Sequence, residues 1–201
     1  VDPWAGVNVI AYISAEMGLG EAARGIVSAL ESAAVPVDVI DYRRGNPSRC
    51  GDRRWCHKTV QQGRFAVSIY IINADWLPSV KPDVRPQLPN ERYAVGHWGW
   101  ELAEFPRRWH GSFDLVDEVW VASEHVRGGV GRCTEKPVRV VPYPISVNAI
   151  DLPDRAYFGL PSDRVLFLAL FDVHSIVARK NPLGAIDAFK RAFSPDDTRV
   201  L

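Results

Sequence analysis

The chain has 201 residues, of which 47% are hydrophobic, 10% aromatic and 24% charged. This composition is typical of a globular protein with a packed core, and it excludes intrinsic disorder, collagen and coiled coil. No apolar run approaches the roughly 18–20 residues of a membrane span. The 24 basic and 24 acidic residues cancel, so the charge balance predicts no nucleic-acid partner and no general adhesion to anionic lipid.

The cysteines indicate a reducing compartment, and hence a cytoplasmic protein. They are three in number, an odd count in a chain too large to need disulfide bonds. Cys50, Cys56 and His57 lie close together in the sequence. Their C-x5-C-H spacing lacks the paired C-x2-C of structural zinc sites and has no evident fourth ligand, so we predict no metal.

Strand and helix patterns alternate along the first part of the chain. Residues 7–13 form an apolar, β-branched run that predicts a buried strand. Residues 19–34 place apolar side chains at helical spacing, and residues 36–42 predict a second strand. Residues 43–64 are polar, rich in arginine and without period, which predicts a long loop. Further strands are predicted over 66–72, 92–98, 117–122 and 138–141, and helices at about 106–113 and 124–131.

This β-α-β-α order predicts an α/β fold, a Rossmann-like parallel sheet with helices on both faces. Four prolines within residues 142–161 then predict a linker with a short helical turn. We assign residues 1–148 to a complete first domain. Residues 149–201 form the linker and the start of a second, incomplete Rossmann-like unit.

The second unit repeats the pattern of the first. A strongly apolar run at 164–171 predicts a strand, and residues 182–193 predict a helix with Asn181 as its N-cap. A further strand opens at 198. A lone strand–helix–strand cannot bury both faces of its sheet, so we expect it to need residues beyond the chain or a partner, such as a homodimer.

A glycine-rich turn follows the first strand. Gly18, Gly20 and Ala23 satisfy G-x-G-x-x-A, and Asp41 lies 21 residues after Gly20, close to the ribose-binding acid of a dinucleotide fold. However, four residues separate the predicted strand from Gly18, whereas a dinucleotide turn starts almost at the strand. Glycine lets a phosphate or sugar approach the amides of a helix N-terminus. The turn therefore predicts a ligand there without naming it, and a plain strand–helix connection is the alternative.

A family resemblance covers nearly the whole chain. The turn from Ile13 to Gly25 resembles the opening loop of bacterial family 4 glycosyltransferases, which have the GT-B fold. Further similar stretches follow in order at 72–75, 96–106, 119–123, 138–142, 171–172 and 179–185. Each stretch is loose alone, but their order and spacing make the resemblance fairly specific.

The resemblance implies a retaining transferase with two Rossmann-like domains that face each other across a cleft. The N-terminal domain would bind the acceptor and the C-terminal domain a nucleotide-diphosphate sugar, which is a substrate, with no cofactor and no metal. The Gly18–Gly20 loop, including Leu19, would lie near the diphosphate and the acceptor. Lys180, with its neighbour Arg179, matches the family's donor-phosphate lysine, although the arginine expected about six residues earlier is missing.

Four further residues are candidates for the site. His97 closes the fourth predicted strand and corresponds to a sugar-contacting histidine of the family; a structural histidine is the alternative. Asp75 and Glu101 follow strands and either orient acceptor hydroxyls or cap turns. Ser123 precedes a helix, which predicts an N-cap, with a ligand contact as the alternative.

We therefore expect part of a glycosyltransferase that uses a nucleotide sugar and a polysaccharide, glycan or lipid-linked acceptor, inactive or nearly so in this length. The arginine-rich stretch from Arg43 to Lys58 allows contact with an anionic or lipid-linked acceptor at the inner membrane face, or is a solvated loop. The alternatives are an NAD-dependent oxidoreductase using Gly18, Gly20 and Asp41, and a non-catalytic carbohydrate-binding module.

Overall fold

The computed structural model describes residues 2–146, 154–171 and 177–200, with the backbone alone at Arg179. The chain divides into two compact units, Val1–Val147 and Asn148–Leu201.

The first unit is built on a six-stranded sheet in which every pairing is parallel. The spatial order is β2-β1-β3-β4-β5-β6. The central strands are apolar on both faces, as expected of a sheet covered on both sides. The predicted parallel α/β sheet is therefore confirmed, with strands β1 Val7–Ala11, β2 Val37–Asp41, β3 Val67–Ile71, β4 Tyr93–Trp98, β5 Glu118–Val121 and β6 Val138–Val140.

The strand order creates a switch point between β1 and β3. Val9 of β1 pairs with Val39 on one side and with Ile69 on the other. An isolated parallel bridge between Val39 and Thr59 extends the sheet beyond β2. If the bridging segment at Thr59 is counted as the third strand of the chain, the spatial order becomes 3-2-1-4-5-6-7. This is the 3-2-1-4-5-6 order of doubly wound folds with one further strand at the edge. Ligands of such folds bind outside the carboxyl ends of the strands where the order reverses.

Helices cover both faces of this sheet. Helix α1, Gly18–Ser32, packs Ala23, Ile26 and Val27 into a core on one face. On the other face lies a second core that contains the aromatic side chains Tyr70 and Trp98. The helices that contribute to it are α2, Leu77–Val84, and α3, Glu124–Val130.

Two helical segments differ from the sequence prediction. Helix α2 was not predicted, because Pro78 and Pro82 interrupt a short pattern, yet Pro78 occupies the first turn, where proline is tolerated. Its Leu77, Val80 and Val84 are fully buried. The segment predicted as a helix near 106–113 is a 3-10 helix, Arg107–Leu115.

The described residues of the second unit form two helices, α4 Val177–Lys180 and α5 Pro182–Ala192. The Asn181 side chain accepts a hydrogen bond from the Gly184 amide at 3.2 Å, which confirms the predicted N-cap. The predicted strand over 164–171 is wrong beyond Val165, because a single bridge from Val165 to Val200 is the only strand pairing among the described residues of this unit. A strand needs a neighbouring strand to satisfy its backbone hydrogen-bonding groups. The described residues of this unit supply one bridged pair of residues, Val165 and Val200.

Helix α1, at 15 residues, is the longest helix in the described part of the chain. No helix within those ranges combines the length and the apolar character that crossing a membrane requires.

Candidate functional site

A cavity of about 230 Å³ opens at the carboxyl edge of β1 and β3. Tyr12 directly follows β1, and the segment from Asn73 to Trp76 follows β3, so the cavity lies at the switch point of the sheet. Its lining includes Tyr12, Leu19, Asn46, Asn73, Asp75 and Trp76. Two residues predicted from the sequence, Leu19 and Asp75, are thus brought together, and this space is called the β1–β3 cavity below.

The two predicted glycines of the turn have different surroundings. A Cβ on Gly20 would lie 2.3 Å from the Ala15 carbonyl oxygen and 2.9 Å from that of Tyr12. A Cβ on Gly18 would meet nothing within 4 Å. Gly20 is therefore required by the close approach of the chain's own backbone, whereas the space beside Gly18 is open.

The N-terminus of α1 borders the β1–β3 cavity at Leu19. Met17, the N-cap, has an extended backbone and its side chain makes no capping bond. The first i→i−4 hydrogen bond of the helix is donated by the Glu21 amide to the Met17 carbonyl at 2.9 Å. Within the described residues, the amides of Gly18, Leu19 and Gly20 have no partner, as is usual for a first helical turn.

A buried arginine that was not predicted from the sequence holds the glycine turn in place. Arg24 has 5% of its surface exposed, and its Nη1 donates to the carbonyls of Ile13 at 2.8 Å and Ala15 at 2.9 Å. Its guanidinium also pairs with Glu21 at 2.8 Å and with Asp52 at 3.3 Å. The signal for it was a charged residue beside Ala23 and Val27 on the apolar stripe of the predicted helix.

The arginine-rich loop is fastened to the same turn. The Glu16 amide donates to the Arg49 carbonyl at 2.8 Å, and the Asp52 amide donates to the Ser14 carbonyl at 3.1 Å. Arg54 pairs with Glu21 and with Asp52, both at 2.8 Å. Hydrogen bonds from Arg24 first, and then from Arg54, lower the pKa of Glu21. The loop predicted over 43–64 is therefore a bonded wall of the site.

Asp41, the acid that suggested a dinucleotide site, is engaged by this wall. Its Oδ1 accepts from the Ser14 amide at 3.3 Å, and its Oδ2 accepts from Arg43 at 2.7 Å. Its side chain has 9% of its surface exposed. The carboxylate thus serves the turn between β1 and α1 and is not presented to the cavity.

The polar lining of the β1–β3 cavity contains unused hydrogen-bonding groups. The exposed Asp75 carboxylate has no hydrogen bond or ion pair within the described residues. The buried amide nitrogen Nδ2 of Asn46 also has no partner there. Burial, with smaller contributions from the charges of Tyr42 and Asp75, raises the pKa of Tyr12 to about 12. The Tyr12 hydroxyl therefore stays protonated at neutral pH.

The loop after β4 is tied to the cavity through Asn73. Its Oδ1 accepts a hydrogen bond from the Gly99 amide at 2.8 Å. Glu101 is exposed two residues later, and its backbone carbonyl lies 3.3 Å from Nε2 of His125. Burial, and secondarily the charge of Glu101, raises the pKa of Tyr143. Glu101 is thus near Tyr143 and does not line the cavity.

His97, the predicted sugar-contacting histidine, is completely buried. Its Nε2 lies 3.0 Å from the Val141 carbonyl, and its ring lies 4.8 Å from the ring of Tyr143 between centroids. Its Nδ1 has no partner within the described residues. Burial lowers the pKa of His97, so the imidazole is neutral at pH 7. It does not line the β1–β3 cavity.

The remaining predicted site residues lie elsewhere. The Ser123 hydroxyl accepts from the Val126 amide at 3.4 Å, which confirms it as the N-cap of α3. Lys180 is exposed at the end of α4, directly before the Asn181 cap of α5. The side chain of Arg179 lies outside the described residues. Across the part of the chain that the structure covers, no group of three or more His, Cys, Asp or Glu side chains is placed to hold a metal ion.

These observations define the class of the first unit: a doubly wound, Rossmann-like α/β domain with a cavity at its switch point. No known protein-family model matches the chain. No curated protein is significantly similar to it in sequence.

Proposed function

We propose that this chain is part of a retaining glycosyltransferase that transfers a sugar from a nucleotide-diphosphate sugar to a polysaccharide or glycolipid acceptor. Its first unit is the acceptor-side domain. The observation that supports this most directly is the β1–β3 cavity, because it joins the glycine turn to the segment from Asn73 to Asp75. Both stretches belong to the family resemblance, and they are far apart in the sequence.

The chemistry of the two units fits the two substrates of such an enzyme. A carboxylate and amides, such as those of Asp75, Asn46 and Asn73, suit the hydroxyls of an acceptor sugar. Lys180 is an exposed cation that ends α4 and directly precedes the N-cap of α5, and anions bind favourably near a helix N-terminus. A donor diphosphate is such an anion, and Lys180 with Arg179 would stabilise the charge that develops on it during transfer.

The alternatives fit the site less well or less completely. Asp41 is bonded to Ser14 and Arg43, which removes the acid that an NAD-dependent oxidoreductase needs for the ribose. A non-catalytic carbohydrate-binding module would use the same cavity but would have no use for Lys180. The proposal also places the protein in the cytoplasm, with a glycolipid acceptor at the inner membrane face.

Donor binding tests the proposal. We expect uridine- or guanosine-diphosphate sugars, titrated calorimetrically into the chain, to bind saturably and to be displaced by the free nucleoside diphosphate. Lys180→Ala should weaken this binding about tenfold or more, because a charge-assisted contact to phosphate is lost. Lys190→Ala, in the last turn of α5, is the matched control and should change it less than about twofold.

Three results would contradict the proposal. One is saturable binding of NADH without any response to nucleotide sugars, which favours the oxidoreductase. Another is an equal effect of Lys180→Ala and Lys190→Ala on donor affinity. The third is glycan binding without any nucleotide-sugar binding, which favours the carbohydrate-binding module.

A further inference from the structure

We propose that the β1–β3 cavity is a subsite for one uncharged sugar ring and that it rejects rings carrying a carboxylate or phosphate. The inference rests on the proposed function and deepens it by naming the charge of the acceptor ring. Three features of the cavity carry it: the size, the aromatic and amide lining, and the distribution of charge.

The size limits the occupant to a single ring. The cavity holds about 230 Å³, below the roughly 300–1,000 Å³ of sites that enclose drug-sized ligands. It lies at the carboxyl edge of the sheet, so further sugars of a chain would extend outward from it. Tyr12, one of its lining residues, is 6% exposed and belongs to the core.

Trp76 supplies an aromatic platform for the apolar face of a sugar. Its side chain is 45% exposed although it directly precedes the buried first residue of α2. Gly45, at φ +72°, packs so closely that a Cβ there would lie 2.7 Å from the indole ring. The ring is therefore held by the wall of the cavity while much of its surface remains available for stacking.

Hydrogen-bonding groups of both kinds surround this platform. The Asn46 Nδ2 is a buried donor with no partner among the described residues, which is a costly state unless a ligand or water accepts from it. The Asp75 carboxylate is an acceptor without a partner in the described part of the chain. Sugar hydroxyls both donate and accept, so a neutral ring satisfies both groups at once.

The charge around the cavity disfavours an anion. Among the described residues that line it, Asp75 alone carries a charge. The arginines nearest in sequence to the lining residues 45–47 are each paired, Arg43 with Asp41 at 2.7 Å, Arg44 with Asp83 at 2.6 Å and Arg49 with Glu16 at 3.8 Å. The N-terminus of α1 offers roughly half a positive charge, which is less than the full negative charge of Asp75. A carboxylate on the bound ring would therefore meet net repulsion.

A panel of paired sugars tests the inference. Methyl glucoside, methyl galactoside and methyl mannoside are compared with their three methyl uronides by ligand-observed NMR titration of the 201-residue chain. We expect at least one neutral ring to bind saturably and about tenfold or more tightly than its uronide. Equal or tighter binding of the uronide, or no binding of any neutral ring, would overturn the inference.

Two substitutions locate the binding in the cavity. Trp76→Ala should weaken the neutral ring about tenfold, whereas Trp76→Tyr should retain most of the affinity because stacking is preserved. Trp4→Ala removes an indole that is 61% exposed outside the cavity and should leave affinity within about twofold. If Trp76→Ala no longer shows the circular dichroism spectrum of the folded chain, the comparison of Trp76→Tyr with Asp75→Asn decides whether the ring binds in the cavity.

Asp75→Asn tests the charge selection. We expect the uronide to bind this variant within about threefold of its neutral partner, because the repulsion is removed. Asp114→Asn, at an exposed aspartate outside the cavity, should leave the original preference intact. Retained rejection of the uronide by Asp75→Asn would overturn the assignment.

The outcome separates this inference from the proposed function. Selective binding of a neutral ring without any nucleotide-sugar binding leaves the subsite standing and contradicts the transferase. Nucleotide-sugar binding that depends on Lys180, with no selection among rings, supports the transferase and overturns the subsite.

Discussion

His97 and Asp75 show how single residues of this chain differ in their availability for chemistry. Both residues were predicted as site residues because they lie near the ends of parallel strands, where ligands of such sheets bind. Asp75 lies exposed beyond β3 and lines the β1–β3 cavity. His97, the second-last residue of β4, contacts the rings of Tyr143 and Trp120 and is hydrogen-bonded to the Val141 carbonyl. Its surroundings in the first unit are those of a structural histidine, the alternative raised from the sequence.

The buried imidazole of His97 makes stability depend on pH. Because burial lowers its pKa below the usual 6.5, the unfolded chain binds more protons as the pH falls through that value. The free energy of unfolding should therefore be at its full value above about pH 6.5 and decrease toward pH 5.5. Glutamine cannot titrate, so His97→Gln should show a smaller decrease in the free energy of unfolding between pH 7.5 and pH 5.5, as measured by urea denaturation.

Another histidine provides the control for this measurement. His57 is exposed and stacked on Trp55, so His57→Gln should keep the pH dependence of the original chain. Equal pH dependence in His97→Gln and the original chain would contradict a buried, neutral imidazole.

At the scale of elements, the turn between β1 and α1 and the arginine-rich loop form one bonded structure. Arg24 reaches from inside α1 to two carbonyls of the turn and to Asp52 of the loop. Arg54 returns from the loop to Glu21 in the first turn of α1. The wall of the β1–β3 cavity therefore depends on contacts made about one helical turn away from it.

Removal of Arg24 should loosen both segments. We expect Arg24→Ala to lower the free energy of unfolding by about 1–3 kcal/mol, because two carbonyls lose their donor. It should also speed trypsin cleavage within 43–58 under native conditions. Arg24→Lys should recover part of the stability, since one ammonium cannot reproduce the guanidinium fork.

The control is an arginine on the surface. Arg127 pairs with Glu124 three residues earlier, and both side chains are more than half exposed. Arg127→Ala should change stability by less than about 0.5 kcal/mol. The role assigned to Arg24 fails if its removal leaves the cleavage rate in 43–58 unchanged.

Other elements were predictable in proportion to their local signal. The strands β1 to β6 and helix α1 are predictable from the pattern of their apolar residues, and the caps at Ser123 and Asn181 from residue type. Helix α2 was missed because its prolines oppose helix propensity, while burial of Leu77, Val80 and Val84 outweighs them. The apolar run at 164–171 has the propensity of a strand but too little backbone to pair with.

At the scale of the whole molecule, burial is distributed unequally. Both hydrophobic cores lie in the first unit. Within 154–171 and 177–200, no described residue is buried, and Leu168 and Leu170 are each 87% exposed. The homodimer that would cover such apolar surface stays a prediction.

Hydrogen exchange should report this difference. Amides of β1, β3 and β4 are expected to exchange only through global unfolding, because they lie in the centre of the sheet between two cores. Described amides outside α5 in the second unit should exchange orders of magnitude faster. Mass spectrometry of peptic peptides measures both. Comparable protection of 164–171 and of β1 would contradict the unequal burial.

The sequence by itself determined the class of fold, because the alternation of apolar strands with amphipathic helices leaves a parallel sheet as the way to bury both patterns. It also indicated the glycine turn and Asp75, whose positions relative to strands are local features. Only the tertiary structure decided which side chains share the β1–β3 cavity, since Asn46, Asn73 and Leu19 meet through contacts between distant segments. It likewise decided that Gly20, Asp41 and Arg24 build the turn, because their partners are backbone groups and loop residues that no local spacing reveals.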